Sequence, residues 1–265
     1  MPILSRLIGS LLAIFATFSS ASADEWVSFP GRGGVTLKAL MMKPEGNGPF
    51  PAIIAMHGCG GLGGRSGINP RHADWGERLR SSGFLVIFPE SFSSRGLGSQ
   101  CTVRNRDIDL SDRAKDAFAA AEWLAARPDV NKRKIGLLGW SNGGMALLHA
   151  TNAGRSPTGV DFSRAVAFYP GCKTILRKGY SPRLPVTILH GLADDWTAAE
   201  PCRALPGVRF IGYDGAYHNF DHPNQPLRTR KAAYSANGTG TVTIGTDSRA
   251  REDSISRVMS IFRGM

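Results

Sequence analysis

Lys134-Ile-Gly-Leu-Leu-Gly-Trp-Ser-Asn-Gly-Gly-Met-Ala-Leu-Leu-His149 is the stretch whose reading decides the fold. Residues 135–138 are apolar and too few for a helix, so they read as a short buried strand. Gly139-Trp-Ser141-Asn-Gly143 then breaks the strand, and residues 145–150 have the composition of a buried helix. A Gly-x-Ser-x-Gly at such a junction sets the serine on a strained turn, with its hydroxyl at the strand's C-terminal end. The first N–H groups of the new helix face the same point and carry the positive end of its dipole. A serine that attacks a carbonyl needs that arrangement, an exposed nucleophile beside donors for the developing oxyanion. The five-letter pattern is weak by itself. With 32 glycines in the chain, about one random sequence in three of this composition would contain it. Its meaning depends on what surrounds it.

Working outward, short apolar runs recur at helix-sized intervals. Residues 26–29 and 35–42 flank Pro30-Gly-Arg-Gly-Gly34 and read as two antiparallel strands joined by a turn. Residues 51–56 form a buried strand that ends in His57-Gly-Cys-Gly-Gly61, and residues 84–88 form another after a helix at 73–81. Between 112 and 127, Ala114, Ala117, Phe118, Ala121, Leu124 and Ala125 follow the i, i+3, i+4 rule of an amphipathic helix, which Pro128 stops. Strands follow at 165–169, 185–189 and 208–213, and a closing helix at 249–263 carries Ile255, Val258, Met259 and Phe262 on one face. Strands separated by helices imply an α/β fold, a mostly parallel sheet with helices on both faces. No linker, repeat or low-complexity segment interrupts residues 24–265, which read as a single domain. Pro89 to Cys101 is a polar loop longer than most such connections, a length associated with function.

The 265 residues suit one large α/β domain, and 42% hydrophobic with 20% charged residues is ordinary globular composition. The formal net charge is +11, but the basic residues are scattered, with Lys132-Arg-Lys134 the tight cluster. No basic stripe with interleaved aromatics appears, which argues against nucleic-acid binding. Arg6, an apolar stretch at 7–18 and the small residues of Ala21-Ser-Ala23 read as a signal peptide, 1–23, cleaved after Ala23. Twelve apolar residues are short for spanning about 30 Å of hydrocarbon, so an exported protein, periplasmic or secreted, without a membrane span is expected. Export makes disulfides available to the four cysteines. None is spaced as Cys-x-x-Cys, so no metal site is expected. All four follow strands in the α/β reading, and neighbouring strand ends favour Cys59–Cys101 and Cys172–Cys202 over the other pairings.

In an open α/β sheet ligands bind beyond the C-terminal ends of the strands. Ser141 stands at one such end, His190-Gly-Leu-Ala-Asp194-Asp195 at another and Tyr213-Asp-Gly-Ala-Tyr-His218-Asn-Phe220 at a third. Nucleophile, acid and base thus follow in the order Ser…Asp…His, which belongs to the α/β-hydrolase arrangement. These segments, with Met56-His-Gly-Cys-Gly-Gly61, Phe88-Pro-Glu-Ser-Phe92 and Arg95-Gly96, resemble the dienelactone hydrolase group of α/β hydrolases over most of residues 26–220. The resemblance weakens after Asp221. It implies Ser141 as nucleophile, Asp194 as acid and His218 as base, with Asp195 and His222 as local rivals. It also implies an oxyanion site built from the backbone N–H groups of Cys59 and Asn142, and no cofactor. The best-known members carry cysteine at the nucleophile. Serine here moves the expected substrate from dienelactones toward ordinary small-molecule esters or lactones. Trp140 and Trp196 are candidate walls of an acyl pocket, and Arg95, Arg104 and Arg106 are candidate contacts for a substrate carboxylate. A non-catalytic envelope protein on the same scaffold is the competing reading, and thioesterase or peptidase chemistry the competing one within enzymes.

Overall fold

A computed structural model describes residues 24–64, 67–154 and 159–265. The expected signal peptide lies outside these residues. Described in chain order, the elements are β1 (Glu25–Pro30), β2 (Thr36–Met42), β3 (Phe50–Met56), a two-rung hairpin β4 (Gly63–Gly64) and β5 (Gly67–Ile68), α1 (Pro70–Ser81), β6 (Leu85–Glu90), α2 (Leu110–Ala125), β7 (Val130–Trp140) and α3 (Asn142–Thr151). Then come β8 (Arg164–Phe168), α4 (Lys173–Lys178), β9 (Val186–Gly191), α5 (Glu200–Arg203), β10 (Val208–Tyr213), the hairpin β11 (Arg228–Lys231) and β12 (Thr241–Ile244), and α6 (Ser248–Arg263). Eight strands form one sheet in the order β1-β2-β6-β3-β7-β8-β9-β10. β1, β2 and β6 pair antiparallel in succession, and the pairings from β6 through β3, β7, β8 and β9 to β10 are all parallel.

Successive strand residues face opposite sides of the sheet, and the two cores divide accordingly. Ala52, Ile54 and Met56 of β3 join Ile135 and Leu137 of β7 under α2 and α3, where Ala117, Ala121, Leu147 and Leu148 pack. Ile53, Ala55 and Leu138 face the other way, toward Trp75 and Leu79 of α1 and Val258 and Phe262 of α6. A strand buried on both faces reads as a continuous apolar run, which is why β3 and β7 lack alternation. The helices are also capped locally. The Asn69 side chain accepts from the Arg71 N–H ahead of α1, with Pro70 in the first turn, while Asp109 and Asp112 exchange bonds at the start of α2. Among the described residues no helix is long and apolar enough to cross a membrane.

Candidate active site

Ser141 lies between β7 and α3 at φ 52° and ψ −114°, a left-handed setting that costs a non-glycine residue of order 1–3 kcal/mol. Its neighbours impose this turn. The Ser141 N–H donates to the Phe168 carbonyl at 2.9 Å, and its own carbonyl accepts from the Met145 N–H at 2.8 Å. The strand and helix cross so closely that a Cβ on Gly139 would come within 2.6 Å of the Gly143 carbonyl oxygen, and one on Gly143 would collide with the Met56 carbonyl. The glycines of the motif are therefore dictated by space.

Asp194 follows β9 and His218 follows β10, and the two loops are tied together by bonds from the Leu192 N–H to the Tyr213 carbonyl and from the Ala193 N–H to the Ala216 carbonyl. His218 Nδ1 donates to Asp194 Oδ2 at 2.7 Å. Because the carboxylate can only accept, this bond puts the proton on Nδ1 and leaves Nε2 as the basic nitrogen. Asp194 Oδ1 also accepts from the N–H groups of Trp196 and Thr197, at 2.8 and 3.0 Å. Burial pushes the Asp194 carboxyl up, but the charge and hydrogen bond of His218 and the Thr197 N–H outweigh it, so its pKa falls below the ordinary value. The His218 ring is held between Tyr169, with centroids 4.4 Å apart, and Trp196, at 4.7 Å. The Arg230 guanidinium of β11 lies over the Trp196 ring, 5.3 Å from its centroid.

The rival residues point elsewhere. Asp195 accepts from Thr243 N–H and Oγ1 at 2.7 and 2.8 Å, which turns it toward β12. His222 Nδ1 accepts from the Asn224 N–H in its own loop. Of the candidate pocket walls, Trp196 stands at the site. Trp140 does not: it is fully buried in the core behind the sheet, and its Nε1 donates to Asp221 at 2.7 Å. It precedes the elbow on a strand, so its side chain falls on a sheet face instead of the strand's tip. Arg95 is likewise not available to a substrate, because it forms a two-pronged bond with the buried Asp116 of α2 at 2.8 and 3.0 Å. Arg104 and Arg106 lie 5.8 and 5.9 Å from the Tyr234 ring.

Cys59, on the loop after β3, is bonded to Cys101, and its carbonyl accepts from the Gln100 N–H at 2.7 Å. Cys172 is bonded to Cys202. Asn142, as the first residue of α3, carries one of the N–H groups that lack an intrahelical acceptor. Two buried polar clusters around these residues join side chains from separate elements. Under the loop after β3, His57 Nε2 lies 3.0 Å from Glu90 Oε1, and Arg113 of α2 bonds both His57 and Asn142. Under the His218 loop, Asp221 accepts from Trp75, Trp140 and the Tyr169 hydroxyl, while Arg71 bonds that hydroxyl and Asn219 Oδ1. The partners are 29 to 148 residues apart in sequence, so spacing gives no signal for them.

Residues 37–265 match the family model of the dienelactone hydrolase family. Over 129 residues the chain is 30% identical to an uncharacterized protein of Pseudomonas aeruginosa, a match over 46% of this chain that spans about a third (31%) of that relative's length. Among solved structures, one described as a dienelactone hydrolase from Klebsiella pneumoniae superposes with a TM-score of 0.67 at 18% identity, covering 93% of this chain and all of that one. A dienelactone hydrolase-like promiscuous phosphotriesterase from metagenomic libraries gives 0.65 at 19% identity, covering 92% and 99%. Esterase 2 of Thermogutta terrifontis, phosphoramylated by tabun, gives 0.58 at 17%, covering 90% and 93%. With the family model matched from β2 to the end of α6, the chain belongs to the dienelactone hydrolase family.

Proposed function

We propose that this protein is an exported serine hydrolase that cleaves a small carboxylic ester or lactone through an acyl-enzyme, with Ser141, Asp194 and His218 as the triad. The observation that carries the reading is the 2.7 Å bond from His218 Nδ1 to Asp194, made at the ends of β10 and β9, in the same sheet whose β7 ends in a serine held at positive φ. His218 Nε2 takes the Ser141 proton as the hydroxyl oxygen attacks the carbonyl carbon. Asp194 holds the imidazole tautomer and stabilises its positive form. The N–H groups of Cys59 and Asn142 receive the oxyanion, and His218 returns its proton to the leaving alcohol. Water, deprotonated by the same imidazole, then releases the acid and frees the serine.

Family membership supports α/β-hydrolase chemistry. The organophosphorus-modified esterase among the structural neighbours is consistent with a serine nucleophile. The two cystines fit an oxidising compartment, and with the small residues before Asp24 they support export and cleavage after Ala23. A turnover panel of short- and long-chain esters, lactones and thioesters, run beside fluorophosphonate labelling, tests the reading. Ser141→Ala should lower ester turnover by several orders of magnitude and abolish labelling. Undiminished esterase activity in that variant overturns it.

A further inference from the structure

We propose that Arg113 is a positioning residue for the oxyanion site, setting the relative placement of Cys59 and Asn142; this rests on the acyl-transfer reading of Ser141. The two oxyanion donors belong to different elements, a loop after β3 and the first turn of α3. Arg113 comes from a third, α2, and reaches both. Its Nη1 donates to Asn142 Oδ1 at 2.6 Å, and its Nη2 donates to the His57 carbonyl at 2.7 Å, two residues before Cys59. Arg113 is 1% exposed, its guanidinium carbon lies 4.9 Å from the Phe92 ring centroid, and its Nε has no hydrogen-bond partner. Burial pushes its pKa down to about 10 while Asp116 and Glu90 oppose that, so it remains a cation at neutral pH.

Stability is a poor reason for such an arrangement. Replacing buried ionic groups by apolar ones of similar volume is often neutral or stabilising. An orphaned Nε makes the cost higher still. What a guanidinium supplies is a rigid planar fork, two donors at a fixed spacing that a flexible ammonium lacks. Here the fork spans the two limbs of the oxyanion site. The far side of the His57 loop is pinned as well, because Glu90 accepts from the Leu62 and Phe92 N–H groups, each at 3.0 Å, and faces His57 Nε2. With Glu90 behind and Arg113 across, the Cys59 N–H is held in register with that of Asn142. Misplacing reacting groups by about 1 Å can cost about two orders of magnitude in rate.

The test compares Arg113→Met and Arg113→Lys with the parent chain on a neutral short-chain ester, well below the melting temperature of each. We expect kcat to fall roughly ten- to a hundredfold with KM within about twofold, and lysine not to restore it. The rate of fluorophosphonate labelling at Ser141 should fall in parallel, since that reaction uses the same donors. Asn142→Ala keeps the backbone N–H but removes the acceptor. It should lower kcat, and its effect should not add to that of Arg113→Met. Parent-level kcat in a folded Arg113→Met, or additive effects in the double variant, overturns the proposal. If Arg113→Met does not fold, parent-level kcat in Asn142→Ala does so. A wild-type chain that neither turns over esters nor labels at Ser141 would instead remove the reading of the triad.

Discussion

Adjacent residues with the same side chain have different tasks in this protein. Asp194 and Asp195 both follow β9, yet one faces the His218 imidazole and the other the β12 backbone and hydroxyl of Thr243. The difference is testable. Asp194→Asn should lower kcat by about four orders of magnitude, because an amide can present an N–H to Nδ1 and favour the wrong tautomer. Asp195→Asn should leave kcat within a few-fold and lower the melting temperature by loosening the hairpin. Comparable losses of turnover in the two variants would contradict the assignment. Residue type alone could not separate them. The discriminating fact is which loop lies opposite each carboxylate.

At the scale of elements, the segment after Asp221 carries the weakest periodic signal and takes its form from contacts with the rest of the fold. β11 reads Arg228-Thr-Arg-Lys231, with no apolar alternation, and pairs with β12 beside the candidate site. The Gly245 N–H donates to the His218 carbonyl, the Ala236 N–H to the Asp195 carbonyl and the Ala233 N–H to the Cys101 carbonyl. The hairpin and its flanks thereby link the His218 loop, the Asp194-Asp195 loop and the Cys59–Cys101 cystine. The two cystines should consequently behave differently on removal. Each closes a loop, with sequence separations of 42 and 30, and each should stabilise the fold by roughly 2–4 kcal/mol. Replacing Cys172 and Cys202 with alanine should lower the melting temperature and leave kcat near the parent value. Replacing Cys59 and Cys101 should lower both. Melting curves and kcat on the two double variants check this, and an unaltered kcat in the second would break the link between that cystine and the proposed oxyanion site.

For the whole molecule, the buried acids set a direction for pH dependence. Burial raises the Glu90 carboxyl, but the hydrogen bond and charge of His57 with two backbone N–H groups bring it down to about 2, from an ordinary 4.5. Asp194 is also lowered, from 3.8. The unfolded chain therefore takes up protons on these groups first, so their contribution to stability is present above about pH 4.5 and is lost as pH falls toward 2. His57 adds in the same sense: burial and Arg113 hold its pKa below 6.5, so the unfolded imidazole is protonated before the folded one. Melting temperature should decline below about pH 6 and more steeply below 4.5. Glu90→Gln should be less stable at neutral pH and show a flatter acid limb, and an acid limb as steep as the parent's would rule Glu90 out as a main contributor.

What the sequence by itself determined was the layered architecture and the residue types at the strand ends. Apolar runs such as those at 51–56 and 135–138 mark buried strands, and Gly139-Trp-Ser-Asn-Gly143 marks a break between a strand and a helix. These signals are local, so they survive in one dimension. Element ends shift by a few residues where polar residues carry an element on, as in β7, which begins at Val130 and runs through half-buried Asn131 and the exposed residues 132–134. The tertiary structure alone decided that Trp140 serves the core and Asp221, that Arg95 serves Asp116, and that Arg113 bridges Asn142 and the His57 carbonyl. A long polar side chain is satisfied by whatever partner the fold brings within about 3 Å. That partner comes from a different element, at a distance in sequence that no periodicity encodes.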